Sequence, residues 1–146
     1  MAVQFEKPIA LGADHGGYEL KEAIKQHLEE RGIAYRDFGT NSTASCDYPD
    51  YAAATCGAVT NGSSDFAILC CGTGVGMSMC ANKIKGIRAC CCSEPFSAEY
   101  TPAATTTPIP CAWAAALWAP ASPARSLTPF WTTNLRAAAT RSALTR

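Results

Sequence analysis

Short apolar runs alternate along the chain with stretches in which apolar residues recur at helical spacing. In the first such stretch, Leu20, Ile24 and Leu28 stand among charged residues, which predicts an amphipathic helix that ends at Gly32. Strands that alternate with helices predict a parallel sheet covered on both faces, a Rossmann-like three-layer α/β sandwich. The predicted strands are 9–12, 33–38, 66–71 and 86–92, and the later helices are about 51–59, about 77–83 and one that begins at Ser93.

The most informative stretch is the apolar run that ends at Cys71 and continues with Gly72, Gly74 and Gly76. A strand that breaks into glycines before a helix predicts a tight loop whose backbone N–H groups converge on an anion, with the helix dipole behind them. A thiol at such a place tends to form a reactive thiolate near neutral pH. Taken alone this glycine pattern is a weak signal, and a glycine-rich turn beside an inert buried cysteine is the alternative.

A second polar group, Asp14 and His15, follows the first predicted strand. Because ligands bind beyond the carboxyl ends of parallel strands, we expect this pair and Cys71 to share one cleft. The alternative is that Asp14 and His15 only cap the helix that follows. For Asp47 and Tyr48 we favour capping of the second helix over lining of the same cleft.

Composition narrows the possible classes of function. Lys and Arg total 12, as do Asp and Glu, so the formal net charge is +0. The chain therefore has no excess positive charge that would attract nucleic acid or anionic lipid. No export signal follows Met1 and no apolar run is long enough to span a bilayer, so we expect a cytoplasmic protein without membrane contact. The 9 cysteines are then expected to be reduced, with Cys70 and residues 90–92 in the core. Without spaced Cys and His partners no metal site is expected, and His27 is expected to be solvated.

The composition changes abruptly near Thr101. All 12 acidic residues lie at or before Glu99, and all 11 glycines lie at or before Gly86. From Thr101 onward the chain is rich in Ala, Thr, Pro, Ser and Arg, holds all 3 tryptophans, and lacks acids, Gly and Lys. We therefore predict an α/β domain over residues 1–100 and an aberrant Ala/Pro/Thr-rich tail over 101–146, irregular or disordered.

Six motifs occur in a fixed order: GADHGGYELK at 12–21, DYPDY at 47–51, CGTGVGMS at 71–78, ANK at 81–83, GIRA at 86–89 and CSEPFSA at 92–98. Each would be weak evidence by itself, but together they are highly specific and cover residues 9 to about 99. In this order they closely resemble ribose-5-phosphate isomerase type B, from the family that also holds the galactose-6-phosphate isomerase subunits. The thiol directly before Gly-Thr-Gly favours the ribose-phosphate enzyme within that family.

The resemblance implies a cofactor-free conversion of ribose 5-phosphate to ribulose 5-phosphate by proton transfer through a cis-enediolate. It also implies a homo-oligomer, a dimer or tetramer, with each active site built across a subunit interface. By position, Cys71 matches the base that moves a proton between carbon-1 and carbon-2, and Thr73 matches a hydroxyl that relays protons at the substrate oxygens. The substrate-binding matches are Asp14 and His15 for the sugar phosphate and its hydroxyls, and the amides of Gly72, Gly74, Val75 and Gly76 for the enediolate.

Two other interpretations stay open from the sequence. One keeps the reaction class and changes the sugar to galactose 6-phosphate or allose 6-phosphate. The other is a non-catalytic phosphate-binding α/β module whose tail mediates interactions.

The motifs stop after Ala98, where the resemblance would continue with a His-Asn pair that assists ring opening and with arginines that grip the phosphate. Here the pair would fall near Ala104 and Thr105. Residues 102–109 can be written as plausible GC-rich codons. When these nucleotides are translated in a shifted frame that begins at the third base of the first codon, the product is Arg-Arg-His-Asn-Asp-Ala-Asn. The same offset over 130–140 allows Leu-Asp-Asp-Glu-Phe-Glu-Gly-Gly-Arg-His, which resembles the family's C-terminal signature. We therefore interpret 101–146 as a frame-shifted translation, with a genuine Ala/Pro/Thr-rich tail as the alternative.

This frame shift changes the expected activity. A chain without its last strand and C-terminal helix has an exposed sheet edge, which favours aggregation. It also lacks the segments that the resemblance assigns to ring opening and phosphate binding. We therefore expect the chain as written to have little or no isomerase activity.

Overall fold

The structure, a computed structural model, describes residues 7–64, 66–92 and 112–117. Its strands are β1 (Ile9–Ala13), β2 (Tyr35–Asp37), β3 (Ala67–Cys70), β4 (Ile87–Cys92) and β5 (Ala112–Leu117), and its helices are α1 (Tyr18–Glu30), α2 (Tyr48–Thr60) and α3 (Val75–Lys83). The strands form one five-stranded sheet in the order β2-β1-β3-β5-β4. All of its neighbouring strands are parallel.

Helices cover both faces of this sheet, because successive side chains of a strand point to opposite faces. On one face, α1 packs through Leu20, Ile24 and Leu28 against Ile9, Leu11 and Ile68. On the other face, α2 and α3 pack around Leu69 and Ile87 through Ala52, Cys56, Met77 and Ala81. Full burial of each large aliphatic side chain stabilises the fold by about 1.5–3 kcal/mol. The predicted parallel α/β sandwich is confirmed.

The predicted end of α1 is confirmed at Gly32. Gly32 has a φ of +66°, the left-handed region that glycine adopts most readily. Its N–H donates to the carbonyl of Glu29, and the N–H of Ile33 donates to the carbonyl of Leu28. These bonds satisfy carbonyls that the last helical turn would otherwise leave unpaired.

Several boundaries differ from the predicted ones by a few residues. Helix α2 begins at Tyr48 rather than near 51, because Asp47 occupies the N-cap and Pro49 is tolerated in the first turn. Helix α3 begins at Val75 rather than near 77, directly after the glycine loop. Strand β2 covers only Tyr35–Asp37, because Ile33 is still hydrogen-bonded to the end of α1.

Strand β4 lies at one edge of the sheet, with β5 as its neighbouring strand. Asn82 of α3 binds the outer side of this edge at Ala89. Its Oδ1 accepts the Ala89 N–H at 3.0 Å, and its Nδ2 donates to the Ala89 carbonyl at 2.8 Å. One N–H and one C=O of the edge strand are thereby paired within the molecule.

Strand β5 lies between β3 and β4, where Ala114 pairs with Ala67 on one side and with Ala89 on the other. In these 6 residues the structure departs from the expectation of an irregular tail without a last strand. The segment Ala112–Leu117 is apolar and free of proline, so its backbone supplies partners to two strands that would otherwise lack them. The helix predicted from Ser93 and the rest of 101–146 lie outside the described residues.

Candidate active site

The loops after β1 and β3 touch each other because two glycines allow their backbones to approach. A Cβ placed on Gly17 would lie 2.3 Å from the carbonyl carbon and oxygen of Cys70. A Cβ on Gly16 would lie 3.1 Å from the amide nitrogen of Gly72. The structure therefore brings the Asp14 turn and the Cys71 loop together at the carboxyl end of the sheet, as predicted.

Cys71 lies below the glycine loop with only 4% of its surface exposed. Gly74, whose φ is +76°, occupies the N-cap of α3 and donates its N–H to the Cys71 Sγ at 2.9 Å. Negative charge on this sulfur is stabilised by that N–H and by the positive end of the helix dipole. The loop thus has the geometry to hold a thiolate.

The remaining residues of the loop differ in exposure and in hydrogen bonding. Thr73 is exposed, and its Oγ1 accepts the N–H of Val75 at 3.4 Å. Gly72 and Val75 are exposed, whereas Gly76 lies in the first turn of α3 beneath the ring of Tyr48. Two of the predicted anion-binding amides, those of Gly74 and Val75, therefore already have partners within the loop.

Asp14 and His15 lie beside this loop and are held by backbone groups. Asp14 is 9% exposed, and its Oδ1 accepts the N–H of Gly17 at 2.9 Å, so one carboxylate oxygen caps the turn before α1. The Asp14 N–H donates to the carbonyl of Cys70 at 3.2 Å. His15 is exposed, and its Nδ1 accepts the N–H of Cys46 at 3.2 Å.

The loop before α2 also reaches the site. Asp47 occupies the favoured N-cap position, but its side chain makes no cap hydrogen bond. Tyr48 contributes a ring whose carbons would lie 3.1–3.4 Å from a Cβ on Gly76, so it packs against the start of α3. The sequence interpretation did not include Cys46 in the site, because a backbone N–H donor leaves no signature in the residue type.

The sequence analysis also did not predict a group of paired charged side chains next to the site. Lys21 is completely buried, and its Nζ binds Asp37 and also Glu22, the latter at 2.9 Å. Asp37 Oδ1 accepts the N–H of Gly39 at 2.9 Å, and the Gly39 carbonyl accepts the N–H of Ala13. The buried lysine is therefore connected, through one carboxylate and one loop, to the residue before Asp14.

Three other sequence expectations have mixed outcomes. His27 is half-buried rather than solvated, and burial, with the charge of Arg31, lowers its pKa. Cys70 is fully buried as expected, and burial raises the pKa of its thiol. Cys90 packs against the α1 side of the core, but Cys91 is exposed with its Sγ 3.8 Å from the Thr73 carbonyl.

Neither a metal site nor a membrane-spanning helix occurs in the part of the chain that the structure describes. That part contains no group of three or more His, Cys, Asp or Glu residues placed to hold a metal ion. None of its helices combines the length and the hydropathy that a membrane crossing requires.

Comparison with known proteins places these features in a family. The ribose/galactose isomerase family matches residues 9–124, so this chain belongs to that family. The match extends beyond residue 98, where the motifs stop, and includes β5.

Individual relatives agree with this assignment. Ribose-5-phosphate isomerase B of Escherichia coli is 54% identical over 95 residues, which are 65% of this chain and 64% of the relative. The chain therefore matches less than two thirds of that relative's length. The ribose 5-phosphate isomerase structure from Thermotoga maritima is 37% identical, with a TM-score of 0.79 over 90% of this chain and 87% of the other. That of Mycoplasma genitalium ribose-5-phosphate isomerase B with bound ribulose-5-phosphate is 29% identical, with a TM-score of 0.71 over 94% and 86%.

Proposed function

We propose that this chain carries the proton-transfer part of an aldose–ketose isomerase that converts ribose 5-phosphate to ribulose 5-phosphate. The observation that carries the proposal is the Cys71 sulfur, which is buried, accepts the Gly74 N–H at 2.9 Å and lies at the start of α3. Removal of a proton next to a carbonyl needs a base beside donors that stabilise an oxyanion. The family and the ribose-5-phosphate isomerase B relatives support this choice of reaction.

The proposed reaction moves one proton between two carbons and one between two oxygens. The Cys71 thiolate removes the proton from carbon-2 of the open-chain aldose, and electrons move onto the carbonyl oxygen to form a cis-enediolate. The resulting thiol returns the proton to carbon-1, while the Thr73 hydroxyl carries the proton of the carbon-2 hydroxyl to the carbon-1 oxygen. Loop amides that lack a partner within the loop would stabilise the enediolate, and loss of one such donor costs about two to three orders of magnitude in rate.

Asp14 and His15 are proposed to bind the substrate beside this base. Asp14 Oδ1 accepts the Gly17 N–H, which fixes the carboxylate at the carboxyl end of β1. A fixed carboxylate suits a sugar hydroxyl, and an exposed imidazole suits a phosphate or hydroxyl oxygen. No cofactor takes part in the proposed reaction.

The sharpest test of this proposal uses a repaired chain, a variant whose codons after Glu99 are translated in the shifted reading frame described above. This shift restores the segments proposed for ring opening and phosphate binding. We expect the repaired chain to convert ribose 5-phosphate at an ordinary enzymatic rate and the chain as written to be far slower. If the repaired chain leaves ribose 5-phosphate unchanged, the proposed substrate is wrong.

Variants of the repaired chain test the role of the thiol. Cys71→Ala should reduce turnover by about two to four orders of magnitude while ribose 5-phosphate affinity changes little, because the base is lost and the binding groups remain. Cys80→Ala removes a thiol inside α3, outside the glycine loop, and should retain turnover. Equal turnover in both variants would favour a non-catalytic phosphate-binding module.

The compartment and the assembly are further parts of the proposal. The cysteines whose side chains are described are all free thiols, which is consistent with the reducing cytoplasm. Tyr48, Val75 and Met79 are large apolar side chains that are 41%, 45% and 61% exposed near the start of α3. A homo-oligomer that covers them would bury this apolar surface, and sedimentation of the repaired chain measures whether it forms.

A further inference from the structure

We propose that the backbone amide of Cys46 fixes the tautomer of His15, so that the neutral form of the ring carries its proton on Nε2. In this state His15 donates through Nε2 to an oxygen of the ligand and does not act as a base at Nδ1. Cys46 is then a positioning residue for His15. Only the identity of the ligand rests on the proposed isomerase function, since the tautomer is a property of the free protein.

The inference follows from the direction of one hydrogen bond. A backbone N–H can only donate, and the Cys46 N–H lies 3.2 Å from the His15 Nδ1. Nδ1 must therefore present a lone pair, which leaves Nε2 to carry the proton of the neutral ring. The Cys46 Sγ also lies 3.8 Å from the same nitrogen, a longer and weaker contact than the one from the amide.

The loop that carries Cys46 is anchored well enough to hold this contact. At its beginning, the Thr40 N–H donates to the Ala13 carbonyl at 2.7 Å, and the Ala13 N–H donates to Gly39. Gly39 is in turn bound by Asp37, which pairs with the buried Lys21. At its other end the loop continues through Asp47 into α2. The Cys46 amide is therefore held between two fixed elements.

Nitrogen-15 NMR of the full chain tests the proposal without any substrate. The chain contains only 2 histidines, and His27→Gln identifies the signals of His15. We expect the His15 Nδ1 to resonate as an unprotonated acceptor and Nε2 as a protonated nitrogen. A protonated Nδ1 in the neutral ring would overturn the proposal.

Two substitutions at one position separate the amide from the thiol. Cys46→Pro removes the N–H donor, so the Nδ1 signal should shift upfield as the ring begins to sample both tautomers. Cys46→Ala keeps the N–H and removes the sulfur, so it should leave the Nδ1 signal in place. An unchanged signal in Cys46→Pro, or an equal shift in both variants, would contradict the role of the amide.

A direct measurement covers the case in which Cys46→Pro does not fold. A scalar coupling across the hydrogen bond, between the Cys46 amide nitrogen and the His15 Nδ1, should be detectable in the unsubstituted chain. Absence of this coupling, with both resonances assigned and sharp, would overturn the proposal. A turnover assay that fails leaves these observables unchanged, so failure of the proposed isomerase function is distinguishable.

Discussion

At the scale of single residues, Gly17 decides how closely the start of α1 approaches β3. A Cβ on Gly17 would meet the Cys70 backbone at 2.3 Å, whereas a Cβ on Gly57, inside α2, would meet no atom within 4 Å. Gly17→Ala should therefore destabilise the fold by about 3 kcal/mol or more, because backbone atoms must move. Gly57→Ala should stabilise it by about 0.5–1 kcal/mol, because alanine favours a helix. Urea unfolding measures both, and similar values would contradict the close approach.

The residue types in the sequence predicted the chemistry of the site well, but they did not predict the contacts that position its side chains. Cys71 and its glycines were recognisable because a thiol between a strand end and a helix start is typical of a reactive cysteine. The contact from Cys46 to His15 was not predictable, since any residue except proline supplies a backbone N–H. His27 and Cys91 were assigned the wrong environments, because helix flanks and strand faces depend on which neighbours pack there.

At the scale of secondary-structure elements, Asp37 joins β2 to α1. It pairs with Lys21, which is completely buried, and with Lys25 at 2.9 Å. Asp37→Ala should cost about 3 kcal/mol, because it leaves a buried ammonium with Glu22 as its remaining carboxylate partner. Lys25→Ala removes a more exposed cation from the same carboxylate and should cost about 1 kcal/mol or less. Chemical denaturation of the two variants gives the comparison, and a larger loss in Lys25→Ala would show that the buried pair is not the anchor.

The same carboxylate predicts how stability depends on pH. Burial alone would raise the pKa of Asp37, but hydrogen bonds from Lys21, Gly39 and Lys25 outweigh it and hold the pKa below its ordinary value. The unfolded chain then binds the proton more readily, so this stability is present above the ordinary pKa of 3.8 and is lost as the pH falls through the lower pKa of the folded state. Thermal unfolding across this range should show a smaller loss in Asp37→Asn, which has no carboxylate to protonate. Parallel curves for the two proteins would rule out this contribution.

At the scale of the whole molecule, the alternation of strands and helices was enough to predict a parallel sheet with helices on both faces. Strand β5 was not predictable in the same way. Its pattern, Ala-Trp-Ala-Ala-Ala-Leu, has neither β-branched residues nor alternation, and its position depends on the gap between β3 and β4. Tertiary pairing, rather than local propensity, thus accounts for the part of the fold that the pattern missed.

The gene sequence decides whether the tail should be read in its present frame. Strand β5 occupies the place beside β3 that brings its end next to the glycine loop, since Leu117 pairs with Cys70. With one choice of codons, offset reading of 111–118 allows Cys-Met-Gly-Gly-Arg-Ala-Val, which would put an arginine near that end. We therefore expect the nucleotides that encode residues 102–109 to specify Arg-Arg-His-Asn-Asp-Ala-Asn from the third base. We also expect the repaired chain to unfold at a higher temperature and to aggregate less than the chain as written. An offset frame that lacks His-Asn, or that meets a stop codon before 130–140, would leave the Ala/Pro/Thr-rich tail as a genuine part of the protein.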